Sequence, residues 1–298
     1  MRIMQMPHSL VRHVVSVSDF RKAARPRPIY SDKHSHGTVL VVGGSSRYYG
    51  APVMATNSAV QCITALRIGA GYVKSYVPHS ILGLARSFSP NTIVEGLGGN
   101  AVTFNAEIRK EIERADVLAI GMGIGNAAAE QRAARKMIIH ALSRGRLVVA
   151  DAGAIACLRK IRDAGFKVAI TPHSMELARL SGSIPPSSLN GRVRAAKAAA
   201  LEHSAVVVLK GNTTIITDGS RLKLNTSRTA ALSTMGTGDV LSGMIAAYAA
   251  ICKDIFDASA AAVYLHSKIG DALHRKMGDH ILATDVIDAI PQLAKKLG

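Results

Sequence analysis

The stretch ALSTMGTGDVLSGMIAAYAA, residues 231–250, places an acid, Asp239, at the mouth of a run of small apolar residues that reads as a buried helix. An unpaired carboxylate is costly to bury, so the position needs a capping role or a chemical one. As a cap, Asp239 would accept backbone N–H bonds at the helix start and complement the helix dipole. As a chemical group, it would stand as a base beside an anion held by the amides that Gly236 and Gly238 leave accessible. Lys210, in VVLKGNTT, directly follows an apolar run, where it would either neutralise phosphate or end a strand in solvent. His173, in TPHSMEL, reads equally as a site residue and as a satisfied loop histidine.

Other glycine-rich or polar clusters carry weaker signals alone. GMGIGN (121–126) resembles a dinucleotide fingerprint, but no ribose-binding acid follows a second strand about 20 residues later. GGSS (43–46) lacks the lysine and spacing of a phosphate-binding Walker loop. The HSH of His34 to His36 offers too few ligands for a metal site, so a surface or substrate-loop role fits it better than a metal pair.

The elements that must position these groups alternate along the chain. TVLVV (38–42), YVKSYV (72–77), DVLAI (116–120), RLVVA (146–150), KVAI (167–170) and AVVVL (205–209) read as strands, several apolar on both faces as buried parallel strands are. TTIIT (213–217) and RLKLN (221–225) flank Asp218-Gly219, a hairpin signal. Helical patterns cover 52–71, 128–145, 238–252, 257–276 and 284–295. The alternation predicts a doubly wound sheet with helices on both faces and an antiparallel edge. VVGGSSRYYGAP, GMGIGN, DAGAI, TPHSMEL and KGNTT each follow a predicted strand, at the rim where such sheets bind ligands. No repeat or linker divides the chain, so a single domain over 1–298, with residues 1–24 as a packed N-terminal arm, is expected.

The 298 residues carry a formal charge of +17, which favours an anionic partner. No extended stripe of aromatic residues interleaves with the basic ones to stack bases, which disfavours nucleic acid as that partner. The first 27 residues are Arg-rich with one acid, Asp19, a composition shared with organelle transit peptides. Cys62, Cys157 and Cys252 are widely spaced and form no CxxC pair, which argues for a reducing, cytoplasmic setting. No apolar run is long enough to span a membrane.

Taken in order, GTVLVVGGSSRYYGAP, GMGIG, DAGAI, TPHSMELARL, VVLKGNTTIITDG, GTGDVLSGMIAA and AAVYLHSKIGDAL resemble the ADP/ATP-dependent NAD(P)H-hydrate dehydratases of the ribokinase-like superfamily. The resemblance runs from about residue 25 to residue 293. It implies an α/β fold, a ribokinase-like three-layer α/β/α sandwich with a mostly parallel central sheet. It also implies a repair reaction: 6-hydroxylated NADH or NADPH is dehydrated at the expense of ADP or ATP, by phosphorylation of the hydroxyl and loss of phosphate. By that resemblance Asp239 is the general base and caps the helix, while the amides around Gly236 and Gly238 hold the transferring phosphoryl group. Ala51, Gly123, His173 and Asp239 would contact the hydrated nucleotide. Lys210, Gly211, Asn212, Thr213, Thr214 and Gly238 would hold the ADP or ATP. Phosphoryl transfer implies Mg2+, although the sequence shows no carboxylate cage for it. A homo-oligomer, with no membrane or nucleic-acid partner, is also implied.

One segment departs from the family pattern. Where relatives carry a segment like NPTGNPGMATAG, this chain has NTSRTAALSTMG (225–236), with Thr229-Ala230-Ala231 replacing Asn-Pro-Gly and Arg228 adding charge. A different loop surface beside the catalytic turn is expected, because Pro fixes φ and Gly permits positive φ, which Thr and Ala do not reproduce cheaply. Two rival functions share the fold: an ATP-dependent kinase of a small alcohol or vitamin precursor, and a non-catalytic nucleotide-binding relative.

Overall fold

The computed structural model describes residues 13–26, 29–30, 36–45, 70–87, 91, 93–161, 163–226 and 229–298. Residues 52–69 of the helix predicted at 52–71, together with Ala51, Cys62, His34 and Arg228, lie outside the described residues, and Ala70 and Gly71 are not helical. Nine strands form one sheet: β1 (Thr38–Val42), β2 (Tyr72–Pro78), β3 (Ile93–Leu97), β4 (Val117–Ile120), β5 (Leu147–Ala150), β6 (Val168–Ile170), β7 (Val206–Leu209), β8 (Thr213–Thr217) and β9 (Leu222–Thr226). Their order is β3-β2-β1-β4-β5-β6-β7-β8-β9. The first seven run parallel, and β8 and β9 add the antiparallel edge.

The central strands β4 to β7 are apolar on both faces because both faces are covered. Val39 and Val41 belong to one core with helices α1 (Val17–Ala23), α7 (Thr237–Cys252), α8 (Ile255–Met277) and α9 (Ala283–Leu297). Leu40 and Val42 belong to a second core on the opposite face. That face carries α3 (Ala106–Arg114), α4 (Ala128–Ser143), a 3-10 segment (Ala152–Lys160), α5 (Ser174–Ser181) and α6 (Leu189–Glu202). A short α2 (Leu82–Ser87) packs with β3 at the sheet edge. The described chain therefore forms three layers, helices, sheet and helices, as expected.

Part of the N-terminal arm is described, and it packs. Val15 donates to the Leu224 carbonyl, Lys223 pairs with Asp19 at 2.7 Å, and Phe20 is buried. The elements read from sequence that fall on described residues lie within a few residues of the observed ones. Strand β3 and helices α1, α2, α3, α5 and α6 were not among them. DAGAI, which reads as a turn, continues as the 3-10 segment to Lys160.

The strand order reverses between β1 and β4, which opens a crevice beyond the carboxyl ends of the strands. GMGIGN, DAGAI, TPHSMEL and KGNTT all leave the sheet at that rim. Helix α7, lying over β1, β4 and β5, brings GTGD to the same side.

Candidate active site

Helix α7 begins at Gly236, whose φ of +89° lies in the left-handed region that glycine adopts without strain. Gly236 is the cap residue, and no side chain caps the helix. The expected capping role of Asp239 is therefore corrected: Asp239 stands three residues inside, in the first turn, because the glycine already turns the chain. Its carboxylate still lies where the helix dipole favours negative charge. The turn before it is held by hydroxyls. Thr237 Oγ1 donates to one of two nearby carbonyls, Leu232 at 2.7 Å or Thr234 at 2.9 Å, and Thr229 Oγ1 accepts from the Ala231 N–H at 3.0 Å. Threonine hydroxyls thus support the segment where the family pattern has an Asn-Pro-Gly turn.

Lys210 leaves β7 toward this turn. Its N–H donates to the Pro172 carbonyl at 2.8 Å, and a Cβ added to Gly238 would lie 3.3 Å from its Nζ. The ammonium is thus seated against the first turn of α7. It also pairs with Asp151 at 3.3 Å and approaches Glu176 at 4.0 Å. Burial pulls the Lys210 pKa down, but the charges of Asp151, Glu176 and Asp239 outweigh it and hold the pKa above its ordinary value. Lys210 is not an isolated phosphate ligand; three carboxylates act on it.

The rest of KGNTT is fixed from below by Arg192 of α6. Its guanidinium donates to the Lys210 carbonyl at 3.1 Å and the Thr213 carbonyl at 2.9 Å. A Cβ on Gly211 would come within 2.5 Å of that guanidinium, so a side chain there would displace it. Gly211 and Asn212 are exposed, and Thr213 and Thr214 are half-buried, at the edge of the crevice.

His173 caps α5. Its Nδ1 accepts from the Met175 N–H at 3.1 Å, while its own N–H donates to Glu176 at 2.8 Å. The side chain is half exposed, and Glu176 links it to Lys210. Gly123 lies in a loop that is tied to the 3-10 segment. Gln131 donates to the carbonyls of Gly125 and Gly153, at 2.9 Å each, and a Cβ on Gly121 would run into the Asp151 carbonyl. The structure thus brings Lys210, Gly238, Asp239 and His173 to one place, with the Gly123 loop packed beside them. Of the HSH cluster, His36 is buried, so it has no surface role.

Burial is the first cause that raises the Asp239 pKa, to about 7. The charges of Asp151 and Glu176 add to the rise, and Lys210 opposes it. A carboxylate poised near neutrality suits a general base. Asp151, Glu176, Ser242 and His266 were not singled out from sequence. Asp151 alone had a signal, being an acid directly after a buried strand. His266 of α8 is buried, which lowers its pKa to about 4, and it bonds the backbone of Thr237. Among the described residues, no group of three or more His, Cys, Asp or Glu is arranged to hold a metal ion.

A family profile described as NAD(P)H-hydrate dehydratase matches residues 39–292. The chain belongs to the NAD(P)H-hydrate dehydratase family. It is 34% identical, over 96% of its length and 98% of the relative's, to the ADP-dependent (S)-NAD(P)H-hydrate dehydratase of Cenarchaeum symbiosum. The bifunctional NAD(P)H-hydrate repair enzyme Nnr of Pyrobaculum aerophilum is also 34% identical, over 95% of this chain, but the chain spans only 55% of that protein. Among solved structures, the Bacillus subtilis ADP/ATP-dependent NAD(P)H-hydrate dehydratase co-crystallised with ATP/Mg2+ superposes with a TM-score of 0.77 at 26% identity, covering 96% of this chain and 98% of that one. A ribokinase-like superfamily protein from Enterococcus faecalis gives a TM-score of 0.78 at 28% identity, covering 96% of both chains. The fold is the ribokinase-like α/β fold.

Proposed function

We propose that this family member dehydrates 6-hydroxylated NADH or NADPH to the normal cofactor, driven by cleavage of ADP or ATP. The observation that supports it most is the seating of Asp239, with a pKa near 7, beside Lys210 and a glycine-opened helix N-terminus.

Asp239 takes the proton from the substrate hydroxyl as its oxygen forms a bond to the terminal phosphorus of the nucleotide and the nucleotide's own P–O bond breaks. The amides at Gly236 to Gly238 and the Lys210 ammonium face the charge on the transferred group. In a second step the C–O bond breaks, phosphate leaves, and a ring proton is lost, restoring the reduced nicotinamide. His173, Gly123 and Ala51 would line the hydrated nucleotide, and residues 210–214 with Gly238 would hold the ADP or ATP. Asp151 is engaged with Lys210 and Ser242, and Glu176 lies 4.0 Å from Lys210, so this site fits a Mg2+ that arrives on the nucleotide's phosphates and neutralises their charge.

This reading includes a cytoplasmic setting, supported by the free buried thiols of Cys157 and Cys252, and a homo-oligomer by family likeness. No helix among the described residues is long and apolar enough to cross a membrane. The +17 charge is assigned to the phosphates of the two nucleotides and to solvated helix faces rather than to nucleic acid.

A product assay tests the reading. Incubation with hydrated NADH, Mg2+ and either ADP or ATP should release inorganic phosphate and restore reduced-nicotinamide absorbance. A stable phosphorylated product from a small alcohol, with the hydrated cofactor untouched, would make the protein a kinase. Nucleotide binding with no turnover on either would make it a binding protein.

A further inference from the structure

We propose that Asp151 is a positioning residue: it holds Lys210 across the mouth of α7 and thereby sets how strongly Asp239 retains its proton. The proposal extends the role of Asp239 as base, and its test is arranged to stand apart from that reading.

Asp151 is 2% exposed at the end of an apolar strand, so its carboxylate must be fully engaged. Oδ1 accepts from the Ala152 N–H at 2.9 Å and from Lys210 Nζ at 3.3 Å. Oδ2 accepts from Ser242 Oγ at 2.7 Å. Ser242 lies on α7, three residues beyond Asp239, and its one hydroxyl proton is shared between the Asp151 carboxylate at 2.7 Å and the Gly238 carbonyl at 3.1 Å, the shorter, charged acceptor taking the larger share. The 3.3 Å contact between Ser242 and Thr171 is therefore donated by Thr171. A buried, directed chain results, from Thr171 to Ser242 to Asp151, with Lys210 closing it from the other side. It joins the ends of β5, β6 and β7 to the catalytic helix.

Lys210 therefore divides its attraction. Turned to Asp151, it is not free to turn wholly to Asp239. The charged groups that act on Asp239 among the described residues are Asp151, Glu176 of α5 and Lys210. His266 of α8, which borders the same turn through Thr237, is held neutral by burial. Removing the Asp151 charge has two effects of one sign: a negative neighbour disappears, and Lys210 is released toward Asp239. Both make Asp239 give up its proton more readily.

The decisive experiment is a carbon-13 carboxyl NMR titration of Asp239, assigned by its loss in Asp239→Asn, with no nucleotide or hydrated cofactor present. In Asp151→Asn the Asp239 midpoint should fall by about one pH unit or more from near 7. In Ser242→Ala, which cuts a tie but keeps the charge, it should move by less than about half a unit. The acidic limb of the turnover profile should move with the Asp151→Asn midpoint. Should Asp151→Asn fail to fold, the Asp151→Asn/Lys210→Met pair replaces it by removing both buried charges together. The opposed influences then cancel and the midpoint stays near that of the parent. An unmoved or raised midpoint in folded Asp151→Asn, or a raised one in the pair, overturns the proposal. Absence of dehydratase turnover in the parent protein would overturn the functional reading and leave this titration to decide the role of Asp151.

Discussion

At the scale of single residues, the account turns on protons and counter-charges. Asp239→Asn keeps a polar side chain but cannot take a proton, so the protein should fold while turnover falls by about 10²- to 10⁴-fold; circular dichroism and steady-state rates check the two halves. Stability should respond to the same group. Because the folded-state pKa stands near 7 against an ordinary 3.8, the folded protein keeps a proton that the unfolded chain sheds between those values. Stability contributed by this site therefore falls as pH rises from about 4 to 7 and levels off above, and Asp239→Asn should lose that slope in melting curves recorded across the window. Catalysis runs the other way, rising as Asp239 deprotonates through pH 7. Lys210→Ala should do more than weaken nucleotide binding. It leaves Asp151 buried without its counter-charge, at a cost of about 3–5 kcal/mol, so the melting temperature without nucleotide should drop as well. An unchanged melting temperature would show that Lys210 does not compensate Asp151.

At the scale of elements, Arg192 shows how a helix on the sheet face shapes the 210–214 segment, the proposed nucleotide site. Arg192→Met removes charged donors from two carbonyls, each worth about 1.5–3 kcal/mol. The 210–214 segment should loosen, and ADP affinity measured by calorimetry should fall while Asp239 still titrates as in the parent. Equal ADP affinity would mean that the segment holds its shape without Arg192. Much of this frame was legible in the sequence, because buried parallel strands such as VVVL and the small-residue helix α7 have unmistakable patterns. Strand β3 was not, being a partly exposed edge strand whose IVEGL contains Glu95 and Gly96 and sits among polar and glycine residues. The site was legible as motifs and not as contacts. GTGD, KGNTT and TPH could be read, but the partner of Lys210 lies 59 residues away in sequence. It becomes a neighbour only because β5, β6 and β7 lie side by side. Asp239 likewise read as a cap, since the left-handed turn at Gly236 that takes over that role is a property of the folded chain.

At the scale of the whole molecule, a mostly parallel sheet with a reversal between β1 and β4 gathers the glycine-rich loops at one rim, and α7 brings Asp239 to them. In the proposed reaction two nucleotides meet there, one supplying a phosphoryl group and the other accepting it at a hydroxyl, so the reaction has a fixed stoichiometry. The measurement that tests this most directly follows restored reduced nicotinamide and released inorganic phosphate in the same reaction vessel, with hydrated NADH, Mg2+ and ADP, for the parent protein and Asp239→Asn. One phosphate for each cofactor restored, with both signals lost together in Asp239→Asn, is the expected result. Cofactor restored without phosphate, phosphate released without cofactor, or full activity in folded Asp239→Asn would contradict it.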